Sequence, residues 1–203
     1  MAPDKLRDTL QRKVDSTSVQ ANTIILGYGL CSCAVVGLQA SNARLVIPKV
    51  DDCIALFLGS RSAYDEQWHQ EPGTYYLTKG WIEVGDTPFE DIYHLAECYG
   101  QERAERMMRL MFGHYTRLVY IDTGVRDQDW HRNYARAAAE RFGLRYEEIS
   151  GSSALLAKML HGPWDEDFVV KAPGETVAFT DFKTTMAATS GRMVLENNSC
   201  CPK

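Results

Sequence analysis

"RLVYIDTG" (117–124), "DQDWHRNYARAAAERFG" (127–143) and "LRYEEIS" (144–150) follow one another almost without a gap. The first is a nearly continuous apolar run ending in Asp-Thr-Gly, as expected of a strand buried on both faces. The second is amphipathic at helical spacing, with Trp130, Tyr134, Ala138 and Phe142 on one face. The third reads as another strand. A strand, a crossover helix and a strand make a unit whose two strands run parallel. That unit sets the class of the chain.

The same rhythm continues outward on both sides. Leu6, Leu10 and Val14 recur at helical spacing after Pro3-Asp4, which predicts an opening helix. "TIILGY" (23–28) and "RLVIPKV" (44–50) read as buried strands, with "CAVVGLQA" (33–40) a short helix between them. In "DDCIALFLGS" (51–60), Asp51 and Asp52 precede a short capped helix that Gly59 closes. Residues 61–86 read as irregular and rich in aromatics, broken at Pro72-Gly73 and Gly80. Thr87-Pro88-Phe89-Glu90 has capping-box spacing and opens a helical region to Gly113, interrupted near Gly100. A helix over 152–162 and a last strand over 167–174 complete the series.

The expected fold is α/β: an open, mostly parallel sheet of about five strands sandwiched by helices, in a Rossmann- or flavodoxin-like three-layer architecture. Residues 1–180 are expected as a single domain, with two small lobes at about 1–86 and 87–180 as the alternative. A polar tail over 181–203 follows.

Composition narrows the function classes. The chain has 203 residues, a formal net charge of −5 and 45% hydrophobic content. An acidic balance without a Lys/Arg cluster argues against nucleic acid as a partner. The apolar runs are too short for a membrane span, and the charged, helical start does not read as a signal peptide. Six cysteines without a secretion signal point to a reducing, cytoplasmic setting.

In open α/β sheets, ligands gather beyond the carboxyl ends of the strands. That rule selects Tyr28-Gly29-Leu30-Cys31, Asp51-Asp52-Cys53, Asp122-Thr123-Gly124 and Ser150-Gly151-Ser152. Cys31 and Cys53 each follow a buried strand near an expected helix start, where the helix end favours a thiolate suited to metal ligation or nucleophilic attack. Against this stands the habit of cysteine to fill small buried spaces. Cys33 reads as packing, Cys98 as part of a helix, and Cys200-Cys201 as a tail. Asp122 reads equally as an acid, base or ligand and as a cap. Tyr75, Tyr76 and Trp81 read either as an aromatic cover over the crevice or as rings anchoring a loop. The five histidines lack zinc-site spacing, and no Gly-x-Ser-x-Gly elbow, Gly-x-Gly-x-x-Gly or P-loop spacing occurs. No catalytic residue is assigned.

Taken in order, "LGYGLCSCAVVGL" (26–38), "LVIPKVDDCIALFLGS" (45–60) and "PGTYYLTKGWIE" (72–83) resemble one family, domain-of-unknown-function family 1638, over roughly residues 3–175. In that pattern Cys31, Asp52 and Cys53 match. Cys33 stands where asparagine is common, and Asp51 where histidine is usual. The family pattern starts with a further strand and helix carrying another cysteine, which this chain lacks.

Members occur in anaerobic bacteria and methanogenic archaea, often alongside corrinoid-dependent methyltransferases. The resemblance implies a transition metal or an iron–sulfur cluster on Cys31 and Cys53, with Cys33 as a stand-in third ligand. Tyr28, Gly29, Asp52, Tyr75, Tyr76, Trp81, Asp122, Gly151 and Ser152 would surround the ligand. It further implies one-carbon or methyl metabolism, with corrinoid as a weaker cofactor expectation. A non-catalytic accessory module that binds a small ligand or a corrinoid protein, and a thiol-redox enzyme, are the alternatives. A sheet edge left open at the start predicts a homo-oligomer.

Overall fold

The computed structural model describes residues 3–31, 33–85 and 87–183. The chain divides into two compact units, one running to Leu56 and resuming at Ala154, the other spanning Phe57–Ser153. The first segment holds α1 (Pro3–Ser18), β1 (Thr23–Ile25), β2 (Arg44–Pro48) and α2 (Ile54–Leu58), inside which the division falls. Unit 2 contains α3 (Arg61–Gln70), β3 (Thr74–Leu77), α4 (Lys79–Val84), α5 (Pro88–Tyr99), α6 (Gln101–Phe112), β4 (Arg117–Asp122), α7 (Asp129–Phe142) and β5 (Arg145–Ser150). The chain then returns to unit 1 with α8 (Ala154–His161), β6 (Phe168–Lys171) and a 3₁₀ turn over Phe179–Phe182.

Unit 1 is a three-stranded sheet in the order β1-β2-β6, with β1 parallel and β6 antiparallel to β2. Its core forms because α1 places Leu10 and Val14 on one stripe against Ile24, Leu45 and Ile47 of the strands. The Gln11 side chain fixes that helix by donating to the Gln39 carbonyl (2.8 Å) and accepting from the Gln39 N–H (3.1 Å). Phe182 is buried in this core, so the ordered fold reaches past 181.

Unit 2 is an all-parallel sheet in the order β3-β4-β5. Tyr75, Leu77, Leu118 and Tyr120 alternate onto one face and pack with α5, α6 and α7. Around Phe112, the rings of Phe89, Phe142, Tyr75 and Tyr115 lie 4.7–5.9 Å away, centroid to centroid. On the opposite face Arg117, with its side chain 5% exposed, is held from three sides. Its Nε donates to Thr74 (2.9 Å), one Nη to Glu147 (2.7 Å) and the other to Gln67 of α3 (3.2 Å). Glu71 lies 3.7 Å from the same guanidinium.

The class is α/β, as the strand–helix alternation implies, but the described residues carry two open three-stranded sheets in place of one sheet of about five strands. Four local readings change. Residues 33–37 form turns and Gln39 an isolated bridge to Thr176, not a helix, because Cys33 (φ 51°) and Gly37 (φ 91°) take left-handed conformations that break helical bonding. The stretch read as irregular holds α3, β3 and α4 over residues 61–84. Thr87 shares a hydrogen bond with the Tyr134 hydroxyl (2.8 Å) and makes no side-chain cap. On α7, Trp130 is exposed, while His131, Ala135, Ala138 and Ala139 are buried. Among the described residues no helix is long and apolar enough to cross a membrane.

Candidate functional site

Cys31 and Cys53 both belong to unit 1, at the carboxyl ends of the neighbouring parallel strands β1 and β2. The pairing continues past the strands: the Leu26 N–H donates to the Val46 carbonyl (2.9 Å) and the Leu30 N–H to the Val50 carbonyl (3.0 Å). This draws the two loops together. Gly29 lies so close that a Cβ there would stand 3.1 Å from the Asp52 Cα and from Val50. Gly29 is therefore a close-packing residue, placed by the approach of two backbones.

Cys31 is exposed, Cys53 is partly buried and Tyr28 is exposed. Asp52 accepts from the Ile54 N–H (2.8 Å), which starts the short α2. Cys53 is pushed up from 9.0 to about 11, first by burial, then by the Asp52 charge, then by Cys31. The two thiols thus sense each other, and Cys53 keeps its proton at neutral pH. This reverses the thiolate expected from helix-start positions, for two physical reasons. Residues 33–37 form turns and no helix, which leaves no helix dipole there, and α2 is too short to outweigh burial.

Cys33 is only 6% exposed and left-handed at φ 51°. Asparagine tolerates that conformation best after glycine, and cysteine less well. The position is fixed by backbone shape. Cys98 is exposed on α5, its sulfur 3.7 Å from His94. Cys200 and Cys201 lie outside the described residues.

The other expected site residues lie in unit 2. Tyr75 packs edge-on against Phe89, Phe112 and Tyr115 in the core, Tyr76 meets the Tyr64 ring at 6.4 Å, and Trp81 meets Phe57 edge-on at 5.1 Å. All three rings have packing partners within the unit. Asp122 accepts from the Gly124 N–H (2.9 Å), from Gln128 and from Arg132, and these bonds hold its carboxyl below the ordinary carboxylate range. Both oxygens serve the β4–α7 turn, which suits a cap better than an acid. Gln128 is the residue that sequence reasoning missed here. Buried at 4% exposure, it donates to Asp122 and the Val125 carbonyl and accepts from the Tyr120 hydroxyl. His131, also unforeseen, lies 3.5 Å from Glu83 through Nε2, while its buried Nδ1 finds no partner among the described residues.

Gly151 and Ser152 close unit 2. The Gly151 N–H donates to the Asp122 carbonyl (2.7 Å) and the Ser152 N–H to the Phe57 carbonyl (2.8 Å). A Cβ on Gly151 would meet the Phe57 carbonyl oxygen at 2.8 Å, Ile121 at 2.9 Å and the Asp122 carbonyl oxygen at 3.0 Å. Two of those atoms are backbone. Gly151→Ala is expected to destabilise the protein by about 2 kcal/mol, read as a lower urea midpoint at unchanged m-value. A midpoint equal to that of the parent refutes the close-approach role.

Among the described residues, no group of three or more His, Cys, Asp and Glu side chains is disposed to hold a metal ion. The family described as protein of unknown function (DUF1638) matches residues 1–160, and the chain belongs to it. No curated protein and no solved structure matches the chain.

Proposed function

We propose that this DUF1638 member is a thiol-site protein in which Cys31 and Cys53 take up a soft metal ion as a two-thiolate pair. The observation that carries the reading is the placement of Cys31 and Cys53 at the carboxyl ends of neighbouring parallel strands, whose following loops are joined by the Leu30 N–H to Val50 carbonyl bond. Burial, Asp52 and Cys31 together hold the Cys53 proton in place up to about 11. A cation between the sulfurs offsets the burial and the Asp52 charge and draws the proton off, as metals do with coordinating thiols. Thiolates select soft or borderline ions such as Cu(I) and Zn²⁺ over Mg²⁺ or Ca²⁺.

An iron–sulfur cluster does not fit the described residues. Such clusters are held by about four cysteine thiolates, whereas Cys33 is buried on a left-handed turn and Cys98 lies on α5 in the other unit. No step is derived through a cluster, and no catalytic residue is assigned. The corrinoid-linked setting rests on the family resemblance and supplies one arm of the test. The six cysteines favour a reducing compartment such as the cytoplasm. The three-layer, Rossmann-like arrangement is proposed for unit 2 alone, where α3 meets one face of the parallel sheet and α5–α7 the other.

The test is titration of the reduced full chain with Cd²⁺ and with Cu(I), following thiolate charge-transfer absorbance and proton release. One ion per chain is expected. Affinity should fall at least about tenfold in Cys31→Ser and in Cys53→Ser, and stay unchanged in Cys33→Ser and Cys98→Ser. Because Cys53 must lose its proton, affinity should rise with pH across the neutral range. Equal affinity in all four variants defeats the reading. Quantitative Cys31–Cys53 oxidation without metal uptake replaces it with the thiol-redox alternative. A thermal shift with cobalamin but with neither metal replaces it with the accessory-module alternative.

A further inference from the structure

The core of unit 2 opens at one end into a cavity of about 410 Å³. Its apolar floor includes Phe112, Tyr115 and Phe142, rings of the aromatic cluster. Three charged side chains border it, Arg109, Arg141 and Glu105. A smaller cavity of about 200 Å³ adjoins it through the shared residues Arg141 and Phe142. The Arg141 guanidinium lies across the rings of Tyr93 (5.4 Å) and Phe142 (5.9 Å), at the divide between the two spaces. Arg109 meets Glu105 at 3.8 Å, the outer limit of an ion pair, with 72% of its side chain exposed.

Each arginine stands in the last turn of its helix, α6 or α7, where a cation offsets the carbonyl end. That accounts for a basic residue at each place, but not for two of them bordering one aromatic-floored cavity. The volume lies within the range of small-molecule sites, and flat apolar walls with a few polar groups are their usual lining. Guanidinium groups match the carboxylate in both charge and fork geometry. Glu105 repels a second negative charge, so the rim favours a single one.

We infer that this cavity binds a small organic monocarboxylate with a flat, apolar body, its rings on Tyr115 and Phe142 and its carboxylate between Arg109 and Arg141. The site lies wholly in unit 2 and is independent of the thiol pair.

The test is calorimetric titration of the full chain with 2-naphthoate, its neutral counterpart 2-naphthylmethanol, and 2,6-naphthalenedicarboxylate. Saturable one-to-one binding of the monocarboxylate is expected. The alcohol should bind about tenfold more weakly, as the loss of one charge-assisted contact implies. Arg109→Met and Arg141→Met keep the apolar stem and should each weaken naphthoate about tenfold, while leaving the alcohol unchanged. Glu105→Gln should improve the dicarboxylate more than the monocarboxylate. Equal affinity for acid and alcohol in the parent chain, a result that needs no variant, overturns the inference. So does naphthoate binding that survives both arginine substitutions, or the absence of saturable binding.

Discussion

Phe112→Ala is expected to lower the stability of unit 2 by about 3–5 kcal/mol, the usual loss for a fully buried phenylalanine. Phe112 is 4% exposed and central to the aromatic cluster. It stacks on Phe89 at 4.7 Å and 8° interplanar angle, and touches Phe142 at 4.9 Å and Tyr75 at 5.7 Å. Truncation removes the apolar transfer energy of the ring and its ring–ring contacts, and leaves a void that the strand side cannot fill. Against a typical total of about 5–15 kcal/mol, a loss of this size brings the unit close to its folding threshold. Urea unfolding followed by near-ultraviolet circular dichroism measures it, with the exposed Tyr93→Ala as the control expected to change little. A loss below about 1 kcal/mol is incompatible with the packing described.

Arg117→Leu comes second, at about 3 kcal/mol. Breaking a buried ion pair from one side leaves the other charge uncompensated, which usually costs about 3–5 kcal/mol. Here the low end applies, because Glu71 and Glu147 keep partial exposure and Arg145 remains beside both. A fall of roughly 6–12 °C in the thermal midpoint follows from the entropy of unfolding for a chain of this size. The double change Arg117→Leu with Glu147→Leu should recover part of the loss, since two apolar groups often replace a buried pair without penalty. A double variant less stable than the single one would show that Glu147 contributes independently of Arg117.

The strands most visible in the sequence were those buried without interruption. "RLVYID" and "RLVIP" are continuous apolar runs, and both are strands within a residue or two of the expected limits. Residues 61–86 hid their order for a physical reason. α3 has no buried residue and no apolar stripe, and is started by the Ser60 hydroxyl accepting from the Ala63 N–H. β3 is four residues long and shows two tyrosines where alternation would be read. The direction of β6 was also hidden, because periodicity carries no sign and a terminal strand adds either way round.

The Cys31 and Cys53 placement followed from the strand ends, whereas the protonation of Cys53 did not. Burial and neighbouring charge decide a thiol pKa, and neither is written in the spacing of residues. Gly29 and Gly151 are both expected among the residues around a ligand. Backbone atoms and the Val50 and Ile121 side chains occupy the space a Cβ on either glycine would take.

The hydrogen bond from Ser152 to the Phe57 carbonyl joins the first residue of unit 2 to its last but one. Entry and exit therefore coincide, as they do for a domain inserted into a loop of a host. During synthesis unit 2 is complete before β6 exists, so β2, already beside β1, must wait for its second partner more than a hundred residues downstream. The ribosome thus releases a finished guest inside an unfinished host, and slow assembly belongs to the host.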